Sequence, residues 1–335
     1  MNSKRVVTFG ETLLRLTTPG FERFLQTPNF NAVFGGAEAN VAVAVSSFGM
    51  DATYVTVLPE NNPLADAAVG ELRRFGVDTS QISRGKGRLG TYYLELGTDH
   101  RAGRVVYDRE HSAMALAKPG DIRWASVFDG AIWFHTTGIT PAISAAAADL
   151  SLEAMRTARQ KGLTVSFDLN YRRNLWKWGK SAQEVLSEMI AAADILIANE
   201  EHLRMVLGKD GPTGPQAIGD QALNTHSNLK AVAISLRGSP DAGRHTWAAC
   251  LNNRQEFLNS RRYDITHIVD RVGSGDAFAA GLIYGWTNLD SHQAALEFAV
   301  AASCLKHSIP GDFCRATIDE VYAVLAGETQ GRISR

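Results

Sequence analysis

The chain has 335 residues, of which 45% are hydrophobic and 21% charged, with a formal net charge of -1. That length can bury a sizeable core, and a balanced charge without a long basic run gives no reason to expect nucleic acid or a membrane surface as partner. Three cysteines, Cys250, Cys304 and Cys314, form no C-x-x-C pair, and the opening stretch is interrupted by Gly10, Glu11 and Arg15, so reduced thiols in a soluble cytoplasmic protein without a leader peptide are expected.

In chain order, the first element is a strand at Val6–Phe9. "GGAEANVAVAVSSFG" follows as a helix, with Val41, Ala44, Val45 and Phe48 on one face and Gly49 as its stop. A strand is expected at Tyr54–Val57. From Gly90 to Arg109 two alternating segments flank a Gly/Asp/His turn, the signature of a hairpin. A hairpin inside an α/β chain often covers a site, although an edge hairpin with no ligand role has the same pattern. Further strands are expected at Ala131–Phe134, Thr164–Phe167, Ile195–Ile197 and Val232–Ile234. "SLEAMRTARQKG" reads as a helix capped by Ser151 and stopped by Gly162. The Gly/Pro-rich stretch Gly208 to Asp220 reads as a surface loop. Apolar strands alternating with helices predict a mostly parallel sheet sandwiched between helix layers.

Two stretches carry chemistry. In "IVDRVGSGDAFAAG", Gly273, Ser274 and Gly275 precede Asp276 and a helix bearing Phe278, Leu282 and Trp286 at spacings of four. Free amides and the positive dipole end at such a helix start favour an anion, and glycine lets it approach closely. An N-cap role for Asp276 explains the same aspartate. The Walker spacing and the dinucleotide fingerprint are both missing. In "FGGAEANVAVA", Gly35 and Gly36 precede Glu38 and Asn40 in the first turn of a helix, which suits either a small polar ligand or a tight strand-to-helix turn.

"GGAEAN", "DLNYRRNLW" and "DRVGSGD" occur in that order, and over essentially the whole chain they resemble the ribokinase-like (PfkB) sugar kinases. Within that family, Gly36 to Asn40, Tyr107-Asp108-Arg109, "TGITPA", "DLNYR" and "SIPGD" most resemble the kinases of 2-keto-3-deoxygluconate. The resemblance implies one Rossmann-like α/β/α ribokinase-like domain over residues 1–335, with a small β lid inserted from roughly 12–34 and 90–112. It implies ATP and Mg²⁺, and lid strands that pair between subunits. Asp276 would be the base for the sugar hydroxyl, and Gly273, Ser274 and Gly275 the anion hole. Substrate contacts would come from Gly36, Ala37, Glu38, Asn40, Tyr92, Tyr107, Arg109, Arg172 and Asp312. Asn170, Arg237 and Gly238 would face the nucleotide.

Arg109 and Arg172 suit a carboxylate, because guanidinium groups bind carboxylates through paired hydrogen bonds. Surface ion pairs explain the same arginines, and lid packing explains Tyr92 and Tyr107. Two positions depart from the family. His202 stands where a metal-ordering glutamate is expected, which leaves Asn199 and Glu201 as the metal candidates. Arg271 stands where a threonine is common. His135 reads as a core histidine, and Trp176 and Trp178 as loop packing. The expected activity is phosphorylation of the terminal hydroxyl of 2-keto-3-deoxygluconate. A neutral-sugar kinase such as a fructokinase, and a catalytically silent sugar-acid sensor, are the alternatives.

Overall fold

The computed structural model of the chain describes residues 4–208 and 211–328. Within these residues a nine-stranded sheet forms the centre. Six strands run parallel, in the order Ala231–Gly238, Ile195–Asn199, Thr164–Asp168, Ala131–Thr137, Arg5–Phe9, Ala52–Val55. His245–Asn252, Phe257–Asn259 and Tyr263–Ile265 extend it antiparallel beyond Ala231–Gly238. The parallel strands are continuous apolar runs because helices cover both faces. One face packs Phe134, Val165, Phe167 and Leu196 with Met155, Leu186 and Leu203. The other packs Val6, Trp133, Ile195 and Ala233 with Val41, Phe278, Leu282 and Phe298.

Strand order reverses between Arg5–Phe9 and Ala131–Thr137. The chain first steps one way to Ala52–Val55, then crosses back and proceeds the other way. Crevices at the carboxyl ends of strands beside such a reversal are where open α/β sheets hold ligands. Helices Ala37–Ser47 and Ser274–Asn288 pack together there.

A second, four-stranded sheet lies over this edge, in the order Asn31–Gly35, Leu13–Thr17, Gly90–Glu95, Arg104–Asp108. Its strands are drawn from the 12–34 and 90–112 segments. Residues alternate between its two faces. Leu13, Arg15 and Thr17 point inward and are buried, and Leu13, Tyr92 and Leu94 pack with Tyr107 and Val272. At its tip, the Ala242 N–H donates to the Asp99 carbonyl at 2.9 Å, which joins the hairpin turn to the loop after Ala231–Gly238.

Three local expectations are corrected. The helix containing Ser151 begins earlier, at Ala145, capped by Ser144, whose Oγ accepts from the Ala147 N–H. Ser151 lies mid-helix, and its hydroxyl returns to the Ala147 carbonyl. The apolar run at Tyr54–Val57 breaks at Thr56. Val57–Pro59 leaves the main sheet to pair with Ser83–Gly85. In the Gly208 to Asp220 stretch, Lys209 and Asp210 lie outside the described residues, and the chain is helical from Pro215 to Thr225 rather than looped. Proline at a first helical position has a suitable φ and no amide to leave unpaired, so its presence signals a start as readily as a loop.

Candidate active site

A cavity of about 930 Å³ opens between the carboxyl edge of the main sheet and the small sheet. Its floor is the amino end of Ser274–Asn288. Gly273 caps that helix in the left-handed region, φ 83°, and a Cβ there would lie 2.1 Å from the Asp312 carbonyl oxygen. Only glycine fits the turn. At Gly275 a Cβ would meet nothing within 4 Å, so the backbone there faces open space. The first-turn amides have no partner within the helix and aim its positive end into the cavity.

Asp276 is in this first turn but does not cap it, since the N-cap is Gly273 and carries no side-chain bond. The Asp276 Oδ2 instead accepts from Asn40 Nδ2 at 2.6 Å. The Asn40 Oδ1 in turn accepts from the Gly36 N–H at 3.3 Å, which fixes the orientation of the amide. Burial, opposed by the Asn40 bond and reinforced by the negative charges of Asp168, Glu38 and Asp312, pushes the Asp276 carboxyl up to about 7. A carboxylate tuned to neutral pH beside an anion-receiving helix end is equipped for general-base work. Asp168, at the end of its strand in the same cavity, is also raised by burial, to about 6.

Arg172, Arg237, Arg262 and Arg271 border the cavity. Burial, then the nearby charges of Arg271 and Arg172, lower the Arg237 pKa. Cations crowded in this way call for an anion between them. Gly238 and Asn170 border the same space; Asn170 has a positive φ of 30°, and its N–H donates to Asp168 Oδ1 at 3.0 Å.

Of the residues singled out from sequence, Gly36, Ala37, Asn40, Tyr92, Tyr107, Arg109, Arg172, Asp312, Asn199 and Glu201 all border the cavity with the Gly273 to Asp276 turn. Glu38 does not. Its Oε1 accepts from the Thr137 N–H at 3.0 Å, from Thr137 Oγ1 at 2.8 Å and from Thr140 Oγ1 at 3.1 Å, so it anchors the helix to the end of Ala131–Thr137. Burial raises it to about 7. Arg109 is not a lone cation, because its Nε and Nη2 both donate to Glu11 Oε2 in a buried ion pair. Asp312 is committed to protein groups. It accepts from Arg15 Nη1 at 2.7 Å and from the Tyr92 hydroxyl, and Arg15 Nη2 reaches Asp270 at 2.6 Å.

On the metal side, Asn199 Oδ1 accepts from the His202 N–H at 2.7 Å and so caps Glu200–Leu207. Burial, with Arg172 and Arg237 nearby, lowers the His202 ring to about 4, and it packs edge-on to Tyr171. It is neutral at pH 7. Among the described residues no group of three or more His, Cys, Asp or Glu side chains is placed to hold a metal ion. His135 is fully buried with Nδ1 2.8 Å from Ser166 Oγ, and Trp178 Nε1 donates to the Ala142 carbonyl at 3.1 Å, so both are structural.

Sequence reasoning did not single out Arg15, Glu11, Asp270 or Asp168. Arg15 had a signal: an arginine at an inward position of an alternating strand must find a buried carboxylate.

The model of the "pfkB family carbohydrate kinase" family matches residues 3–312. A curated relative from Haloferax volcanii, 2-dehydro-3-deoxygalactonokinase, is 34% identical over 97% of this chain and 98% of its own. One from Bacillus subtilis, 2-dehydro-3-deoxygluconokinase, is 28% identical over 91% of this chain and 90% of its own. The crystal structure of 2-dehydro-3-deoxygluconokinase from Thermotoga maritima superposes with a TM-score of 0.91 at 46% identity, covering 96% of this chain and 99% of that one.

Proposed function

Starting from the fact that this chain belongs to the pfkB family of carbohydrate kinases, we propose that this sugar kinase transfers the γ-phosphoryl group of ATP, with Mg²⁺, to the C6 hydroxyl of 2-keto-3-deoxygluconate (2-dehydro-3-deoxygluconate). The observation that carries the reading is the buried Asp276, raised to about 7, at the mouth of the Ser274–Asn288 helix. The names of the Thermotoga and Bacillus relatives favour the gluconate series, and that of the Haloferax relative its galactonate counterpart.

The residues present suit a nucleotide. The open backbone at Gly275 and the crowded Arg237 and Arg271 would hold its phosphates, with Gly238 and Asn170 alongside. ATP supplies the phosphoryl group when bound, and Mg²⁺, which keeps most of its water, supplies charge neutralisation on the phosphate oxygens. Asp276 takes the hydroxyl proton on Oδ1, because Oδ2 is occupied by Asn40. The Gly275 and Asp276 amides, fixed in place before reaction, stabilise charge on the moving group. Arg172 meets the substrate carboxylate. The small sheet, acting as a lid, excludes water above it, and Tyr107 forms part of its inner wall.

The pairing of Arg109 with Glu11 favours a second reading, a neutral-sugar kinase, because it removes one of two carboxylate-binding candidates. The test is ADP release, coupled to a spectrophotometric readout, with 2-keto-3-deoxygluconate, its galactonate epimer and fructose. Phosphorus NMR of the product then locates the ester. A kcat/KM for fructose above that for both acids rejects the sugar-acid assignment; a phosphate on any carbon but C6 rejects the site of transfer.

A further inference from the structure

Lys306 is fully buried, and none of the chemistry above uses it. It lies at the end of the His292–Lys306 helix and is not among the residues that line the cavity. Its Nζ donates to the Ile309 carbonyl at 2.9 Å and to the Asp270 carbonyl at 3.3 Å. A Cβ on Gly273 would lie 3.4 Å from Lys306 Cε, so the side chain runs directly beneath the turn that opens the Ser274–Asn288 helix. Asp270 reinforces the junction: its Oδ1 accepts from the Val272 N–H and its Oδ2 from the Gly311 N–H, each at 3.0 Å.

A lysine is seldom buried without a purpose, because removing an ammonium from water is costly. Here the ammonium meets neutral carbonyls from two turns, 270–273 and 309–312, and both turns shape the floor of the cavity. We propose that Lys306 is a positioning residue for phosphoryl transfer, a built-in cation that clamps these two turns together and places positive charge behind the amides that receive the phosphoryl group. Its effect reaches the reacting atoms through the Gly273 to Gly275 backbone. It therefore acts on the transition state, where negative charge moves toward the helix mouth, more than on sugar binding.

The groups around the ammonium are Asp270 and Asp312, which favour its charge, Arg15, which opposes it, and the Cys314 thiol. The His307 imidazole beside it is held neutral, burial lowering it to about 4. Burial lowers the lysine itself below its ordinary value. The ammonium gives up its proton, and the clamp is lost, as pH rises through that lowered value.

The inference rests on the kinase reading, so wild-type ADP release with 2-keto-3-deoxygluconate is the control. An inactive wild type refutes that reading and not this one, which is then measured with whichever sugar the enzyme accepts. Lys306→Met keeps the stem and removes the charge. The expected result is a kcat lower by on the order of tenfold to a hundredfold, with the sugar KM within about threefold. In Lys306→Ala, small cations such as ammonium or methylammonium refill the space and restore kcat in a saturable manner, without changing the melting temperature by a matching amount. If Lys306→Met does not fold, the Lys306→Ala rescue decides. A folded Lys306→Met with wild-type kcat overturns the proposal. So does a Lys306→Ala enzyme that no cation restores.

Discussion

Replacing Asp276 by Asn removes the proton acceptor while preserving the shape of the site, since an Asn oxygen still accepts from Asn40 Nδ2. Two consequences are expected, with opposite signs. The first is catalytic: loss of a positioned general base lowers kcat by about 10² to 10⁴, with a small change in sugar KM. The second concerns stability. The carboxyl moves from an ordinary 3.8 to about 7 in the folded chain, chiefly through burial. A group that binds its proton more tightly when folded makes the folded state less stable as pH rises from 3.8 to about 7, and the full cost is present above that range. At about 1.4 kcal/mol per pH unit this amounts to roughly 4 kcal/mol, as an order of magnitude. Asp276→Asn should therefore be several kcal/mol more stable than wild type at pH 8.5 and little changed at pH 4. Urea unfolding at the two pH values, beside initial rates of ADP release, measures both effects. A variant that keeps its kcat within threefold removes Asp276 from the role of base. A stability gain equal at both pH values shows that the carboxylate is not strained by burial.

The wild-type kcat/KM should rise with pH through about 7, because only the ionised Asp276 accepts a proton, and this acidic limb should vanish in the residual activity of Asp276→Asn. Arg172→Leu should raise KM for the sugar acid by about tenfold to a hundredfold and leave fructose turnover alone; an equal loss for both refutes charge selection by this arginine. Asp312→Asn leaves the buried Arg15 with one carboxylate instead of two and should lower the unfolding free energy by about 3 kcal/mol in urea titrations; a change below about 0.5 kcal/mol refutes a structural role for this pair. Gly273→Ala should lower both the melting temperature and kcat, since its Cβ would lie 2.1 Å from the Asp312 carbonyl oxygen, whereas Gly275→Ala should keep the melting temperature and raise the ATP KM.

The main sheet was legible because its strands are apolar runs with no competing period, and six of the predicted runs lie in it or at its edge. Helix starts were less so. Ser151 resembled a cap, but the alanine-rich stretch ahead of it is an equally good helix, and Ser144 lies about two turns further back. Gly208 to Asp220 misled for a related reason: glycine and proline mark the start of a helix as well as a loop. At the site, the Gly273 to Asp276 turn could be read because its chemistry is local. The partners of Arg109, Glu38 and Asp312 could not. Each is engaged by a residue from a distant stretch (Glu11, Thr137 and Arg15), and no sequence spacing encodes such a meeting. Sequence can name a cation as suited to a ligand, but it cannot show that the protein already supplies the counter-charge.

The Arg15 bridge carries an implication for how such an enzyme can change its diet. One guanidinium on the small sheet grips both aspartates that frame the helix mouth, so sheet and mouth share a common reference point. Tilting the sheet to admit a bulkier sugar would drag the proton acceptor's surroundings with it. New preferences are therefore expected to arise by exchanging side chains along the pocket wall, with the hinge geometry inherited unchanged.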